Sequence, residues 1–165
     1  MLTADGNLGA EIWDLDTGKS IGIPVPGRHI TCWAVYSEKT GNYYVSDPGT
    51  FSITEIHIDN KLNATLINNY PFIPGSFPVD MTVVTAGNKE SVSKNILPTP
   101  WLISDFSLFS YIYVISGGVN SIQTLELIAP GNAQVGPLLN LTVAAPHVKS
   151  GKRSFHADIN EHQSN

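Results

Sequence analysis

The residues from Thr31 to Asp59, TCWAVYSEKTGNYYVSDPGTFSITEIHID, constrain the fold most, because they hold three short β-type runs separated by turn formers. The runs are Thr31–Tyr36, Tyr43–Ser46 and Ser52–Ile58. In the last of them Ile53, Glu55, His57 and Asp59 alternate with Ser52, Thr54, Ile56 and Ile58. A period of two in a context rich in Val, Ile, Thr and Tyr predicts strand. Ser37–Asn42 is a polar turn with Gly41 near its end. In Asp47-Pro48-Gly49 the proline presets φ and the glycine supplies a positive one, which makes a turn. A fourth run, Thr65–Tyr70, follows the turn Lys61–Ala64. Four antiparallel strands in about forty residues form a unit that must bury its faces against neighbours.

The same plan recurs downstream. Val79–Ala86 reads as a first strand, and Tyr111–Ser116 (YIYVIS) as a second that matches Tyr43–Ser46 (YYVS). Gly117–Ser121 stands in the place of the turn Asp47–Ser52. Ile122–Ile128 supplies a third strand and Val135–Val143 a fourth. Upstream, Leu2–Asp16 reads as the back half of another unit, with Gly9–Asp16 as its third strand and Asp16–Lys19 as a hairpin turn. The expected fold is all-β, a partial β-propeller of two to three four-stranded antiparallel blades.

Thr31-Cys32-Trp33-Ala34-Val35, Tyr43–Asp47 and Gly49–Ile58, followed by Asp80–Ala86 with Tyr111–Leu127, resemble blades of the lactonase-like seven-bladed β-propeller family. That family includes 6-phosphogluconolactonase-like and fungal 3-carboxymuconate cyclase-like proteins. The resemblance implies a parent protein acting on small carboxylated lactones or muconates, as an isomerase or lactonase. It also implies a secreted or cell-surface location. A seven-bladed ring needs near three hundred residues at about forty per blade. At 165 residues the chain is expected to be a C-terminal fragment of such a ring, inactive alone and partnered by the missing blades. The alternative is a non-catalytic secreted or surface propeller. Trp13-Asp14 spells the dipeptide of WD-type repeats, but the Gly-His partner and the spacing of that repeat are missing.

The net charge of −5 and only two arginines, Arg28 and Arg153, argue against a nucleic-acid or membrane-surface partner. No apolar run approaches a membrane span. Cys32 is the single cysteine and reads as a small buried hydrophobe on a strand. No Cys/His cluster has zinc spacing, and no cofactor or metal is expected. The sequons Asn63-Ala64-Thr65 and Asn140-Leu141-Thr142 mark Asn63 and Asn140 as candidate glycosylation sites.

Residues 1–145 are expected to form the blade region, interrupted at 91–110 by an irregular insertion. SVSKNILPTPWLISDFSLFS carries Pro98, Pro100 and Trp101 with no clear period. It sits where a tight hairpin belongs, so it reads as a lid or as a retained intron. The polar tail 146–165 reads as disordered.

In a propeller the loop before each first strand and the loop between second and third strands open on one rim. This groups Pro26–His29 with Asp47–Gly49, and Phe77–Asp80 with Gly117–Asn120. His29, Arg28, Asp47 and Asp80 are the candidate catalytic residues. His29 would act as general base, because its ordinary pKa lies near neutrality. Arg28 would hold a carboxylate bidentately, and Asp47 or Asp80 would orient His29 or bind a metal. His57, on a third strand, reads as a half-exposed residue away from this rim.

Overall fold

The computed structural model describes residues 1–86 and 109–141. Eleven strands occur in it: β1 (Leu2–Asp5), β2 (Gly9–Trp13), β3 (Ser20–Pro24), β4 (Trp33–Ser37), β5 (Asn42–Asp47), β6 (Ser52–Ile58), β7 (Ala64–Pro71), β8 (Pro78–Ala86), β9 (Phe109–Ser116), β10 (Ser121–Ala129) and β11 (Asn132–Asn140). They form three antiparallel sheets in sequence order: β1-β2-β3, β4-β5-β6-β7 and β8-β9-β10-β11. We call these sheets 1, 2 and 3. The expected all-β character and the four-strand units are therefore present. Turn chemistry sets the strand ends: Gly41, with φ at 69°, closes the β4–β5 hairpin, and Gly131, at 73°, closes β10–β11.

Sheet 2 lies between the other two. On one face Val45 and Ile56 join Leu2, Ala10, Ile12 and Ile23 of sheet 1. On the other, Tyr44, Ile53 and Tyr70 pack with Met81, Ile112, Val114, Leu125 and Leu127 of sheet 3. This explains why β6 is buried from Ser52 through Ile56 in spite of its alternating sequence. A half-buried strand sends its polar set to water, whereas a strand covered on both faces buries both sets. Each fully buried Ile or Leu of these clusters contributes roughly 1.5–3 kcal/mol of transfer free energy.

The hairpins fix how the units correspond. The β5–β6 hairpin closes on the pair Asp47↔Ser52, and β9–β10 closes on Ser116↔Ser121. Asp47 is thus the counterpart of Ser116, Val45 of Val114, and Tyr44 of Tyr113. The sequence match had aligned Ser46 with Ser116, one residue away. In a strand that shift exchanges the two faces, so the structural register is the one that keeps like faces together. Val25–His29 likewise corresponds to Ile73–Phe77. The Arg28 and Ser76 amides bond the Val25 and Ile73 carbonyls, and the intervening Gly27 and Gly75 have φ of 74° and 81°.

Two further expectations are corrected. Phe109 and Ser110 belong to β9 and pair with Ala86 and Thr85, so these two residues are strand and not insertion. The rest of the insertion expected at 91–110 and the tail expected at 146–165 lie outside the described residues. Cys32 is exposed rather than buried. It precedes β4, the edge strand of sheet 2, where Trp33 and Tyr36 are also nearly half exposed. Among the described residues no helix is long and apolar enough to cross a membrane.

Candidate functional site

Asp47 is the last residue of β5 and is 3% exposed. Its Oδ2 accepts the His29 backbone N–H at 2.7 Å. Its Oδ1 accepts the N–H groups of Ile30 at 3.1 Å, Gly49 at 2.9 Å and Thr50 at 3.2 Å. Burial pushes the Asp47 carboxyl up, but the four backbone donors together outweigh it and hold the pKa below the ordinary carboxylate value. The charge therefore ties the loop before β4 to the turn after β5. Gly49 allows this closeness, because a Cβ there would collide with the His29 side chain. Asp47 holds His29 by its main chain and leaves the imidazole unheld.

Arg28 and Asp47 share a cleft of about 220 Å³. Its walls are the Val25–Arg28 loop on one side and, on the other, Thr50 of the β5–β6 turn with Ser52, Thr54 and Asn69 of sheet 2. The hydroxyls of Thr50 and Ser52 lie 2.8 Å apart. The Asn69 amide donates to Ser52 Oγ at 3.1 Å and Thr54 Oγ1 at 3.0 Å. Arg28 Nε is buried and has no hydrogen-bond acceptor among the described residues. A guanidinium N–H removed from water without an acceptor is costly. The arrangement offers a cation and a row of hydroxyls to a small anionic group.

The four residues expected to act together are only partly brought together. Arg28 and Asp47 line one cleft. His29 is exposed beside it and is not part of its lining. Asp80 borders a separate hollow of about 220 Å³ on the outer face of sheet 3, with Met81, Thr82, Tyr113, Ile115 and Ile122. Among the described residues no group of three His, Cys, Asp or Glu side chains is placed to hold a metal.

One polar cluster had no readable signal in the sequence. Glu55 is fully buried. Its Oε1 accepts Asn42 Nδ2 at 2.6 Å and the Gly131 N–H at 3.0 Å, and its Oε2 accepts the Tyr70 hydroxyl at 2.5 Å. Burial first, and then Glu55, raise the Tyr70 pKa well above its ordinary value, so this hydroxyl stays a donor. Asn42 Oδ1 lies 2.8 Å from His57 Nδ1, which places exposed His57 at the outer end of the network. Asn68 Nδ2 donates to the Gly131 carbonyl at 3.1 Å. Sheet 2 thus grips the β10–β11 hairpin of sheet 3 by both main-chain groups of one glycine. Of the sequon asparagines, Asn63 is exposed in the β6–β7 turn and Asn140 is exposed at the end of β11.

Comparison of the chain with known protein families, with characterised proteins and with solved structures finds no match.

Proposed function

We propose that the chain forms consecutive blades of a lactonase-like β-propeller, and that the cleft between its first two sheets receives a small carboxylated lactone or muconate anchored on Arg28. The observation that carries the ligand reading is the buried, unpartnered Arg28 Nε in a hydroxyl-lined cleft. Charge-assisted pairing of a guanidinium with a carboxylate satisfies such a donor better than any neutral group. The blade reading is supported by sheets that stack in chain order and meet most extensively at their first strands, β4 and β8. Inner strands of radially arranged blades meet in this way.

The placement of His29 outside the cleft lining favours binding over turnover for this chain by itself. A general base must reach its proton within hydrogen-bond distance. The fitting context is a secreted or cell-surface parent protein, with glycans on the exposed Asn63 and Asn140.

Titration calorimetry with muconolactone, a lactone bearing one carboxylate, tests the ligand reading. Binding should weaken about tenfold or more in Arg28→Met, as expected for loss of a charge-assisted bond. The methyl ester should not bind. Equal affinity of wild type and Arg28→Met would overturn the reading.

A further inference from the structure

We infer that the Arg28 cleft selects an amphipathic monocarboxylate, with one anionic head and a short apolar tail, over a polycarboxylate. The inference rests on the reading of Arg28 as carboxylate anchor and narrows the ligand class. The cleft does not end at Thr54 and Asn69. It continues past them into an adjoining hollow of about 250 Å³, which shares Val25, Pro26, Thr54 and Asn69 with it. Leu66 and Ile67 border this second hollow, and each remains 38% exposed. One end is therefore cationic and hydroxylated, and the other is aliphatic.

The charge balance sets the number of carboxylates. Among the described residues, Arg28 is the single cation lining either hollow, and Asp47 is the single anion. Asp47 stays ionised, because four backbone N–H groups stabilise its charge. A second carboxylate on the ligand would face Asp47 or be pressed against Leu66 and Ile67. The first position repels it and the second strips its water without a partner. A methyl or methylene tail placed there instead loses only its contact with water.

Nuclear magnetic resonance titration of the whole chain tests this with hexanoate and citrate, reading Arg28 Nε–H and the Ile67 methyls. Hexanoate should bind about tenfold or more tightly than citrate and should shift both sets of signals. Arg28→Met should weaken both anions. Ile67→Ser, a change at an exposed position, should weaken hexanoate about fourfold or more, the equivalent of one or more buried methylenes, and leave citrate unchanged. Citrate binding through Arg28 as tightly as hexanoate would overturn this inference and leave the anchor reading standing. Hexanoate binding that is indifferent to Ile67→Ser would overturn it too. If neither anion moves the Arg28 signal, the anchor reading fails and the inference with it.

Discussion

Replacing Asp47 by Asn tests whether this carboxylate organises the loops that build the cleft. The asparagine keeps one oxygen, which still serves Ile30, Gly49 and Thr50, but presents its NH₂ to the His29 N–H that now donates to Oδ2. One donor therefore loses its acceptor, at roughly 1–3 kcal/mol. Three others fall from charge-assisted to neutral bonds, a change of up to about 1 kcal/mol each that nearby water reduces. The expected loss is about 3 kcal/mol, or near 10 °C in Tm for a chain of this size. Urea denaturation followed by tryptophan fluorescence measures it. The pH dependence gives a second reading. The folded Asp47 pKa lies below the ordinary 3.8, so its contribution is full above 3.8 and is lost as pH falls toward the depressed folded value. Wild type should lose this increment on acidification, and Asp47→Asn should lack it. Asp5 closes the equivalent hairpin of sheet 1 but among the described residues accepts two amides, those of Asn7 and Leu8, so Asp5→Asn should cost less. A loss below about 1 kcal/mol for Asp47→Asn, or an unchanged acid profile, would refute the reasoning.

Other substitutions follow from the same contacts. Glu55→Gln should cost about 2 kcal/mol, because the Tyr70 hydroxyl then meets an NH₂ group, and should speed hydrogen exchange at the Gly131 amide. Protection at Gly131 equal to wild type would contradict the cross-sheet grip. Cys32 should react stoichiometrically with a thiol reagent in the folded protein, and Cys32→Ser should change stability by less than about 0.5 kcal/mol. A thiol that reacts only in denaturant would count against its exposed position. The purified chain should show no hydrolysis of a phosphogluconolactone and no loss of carboxymuconate absorbance, since His29 does not line the cleft. Turnover that disappears in both His29→Ala and Arg28→Met would reverse that expectation.

Most strands were legible because each is short, rich in β-branched and aromatic residues, and bounded by Gly, Pro, Asp or Asn; β3 (Ser20–Pro24) was not read, and β11 begins at Asn132 rather than at the expected Val135. Their register was less so. Ser46 and Ser116 look alike in YYVS and YVIS, but the hairpin pairs Asp47↔Ser52 and Ser116↔Ser121 decide the correspondence, and only three-dimensional pairing reveals them. The burial of Glu55 was not legible, for a physical reason. A Glu in an alternating strand implies a solvent face, and nothing local announces that a second sheet covers it. Cys32 differs in the opposite direction: a Cys-Trp pair suggests a core, yet β4 is a sheet edge with no strand paired outside it among the described residues. Arg28 and Asp47 do share a cleft, because the loop before one strand and the turn after the next fall at the same end of an antiparallel sheet. Asp80 was grouped with them by repeat logic, but its side of sheet 3 is the face turned away from sheet 2.

The proposed role of Arg28 is to anchor a carboxylate between sheets 1 and 2 through an Nε that has no acceptor among the described residues. A crystal structure of the chain soaked with muconolactone tests it most directly. A carboxylate oxygen is expected about 2.7–2.9 Å from Arg28 Nε, with the lactone ring against Thr50, Ser52 and Thr54. An Arg28 side chain paired to a carboxylate of its own chain, or a ligand bound away from the Val25–Arg28 loop, would contradict it.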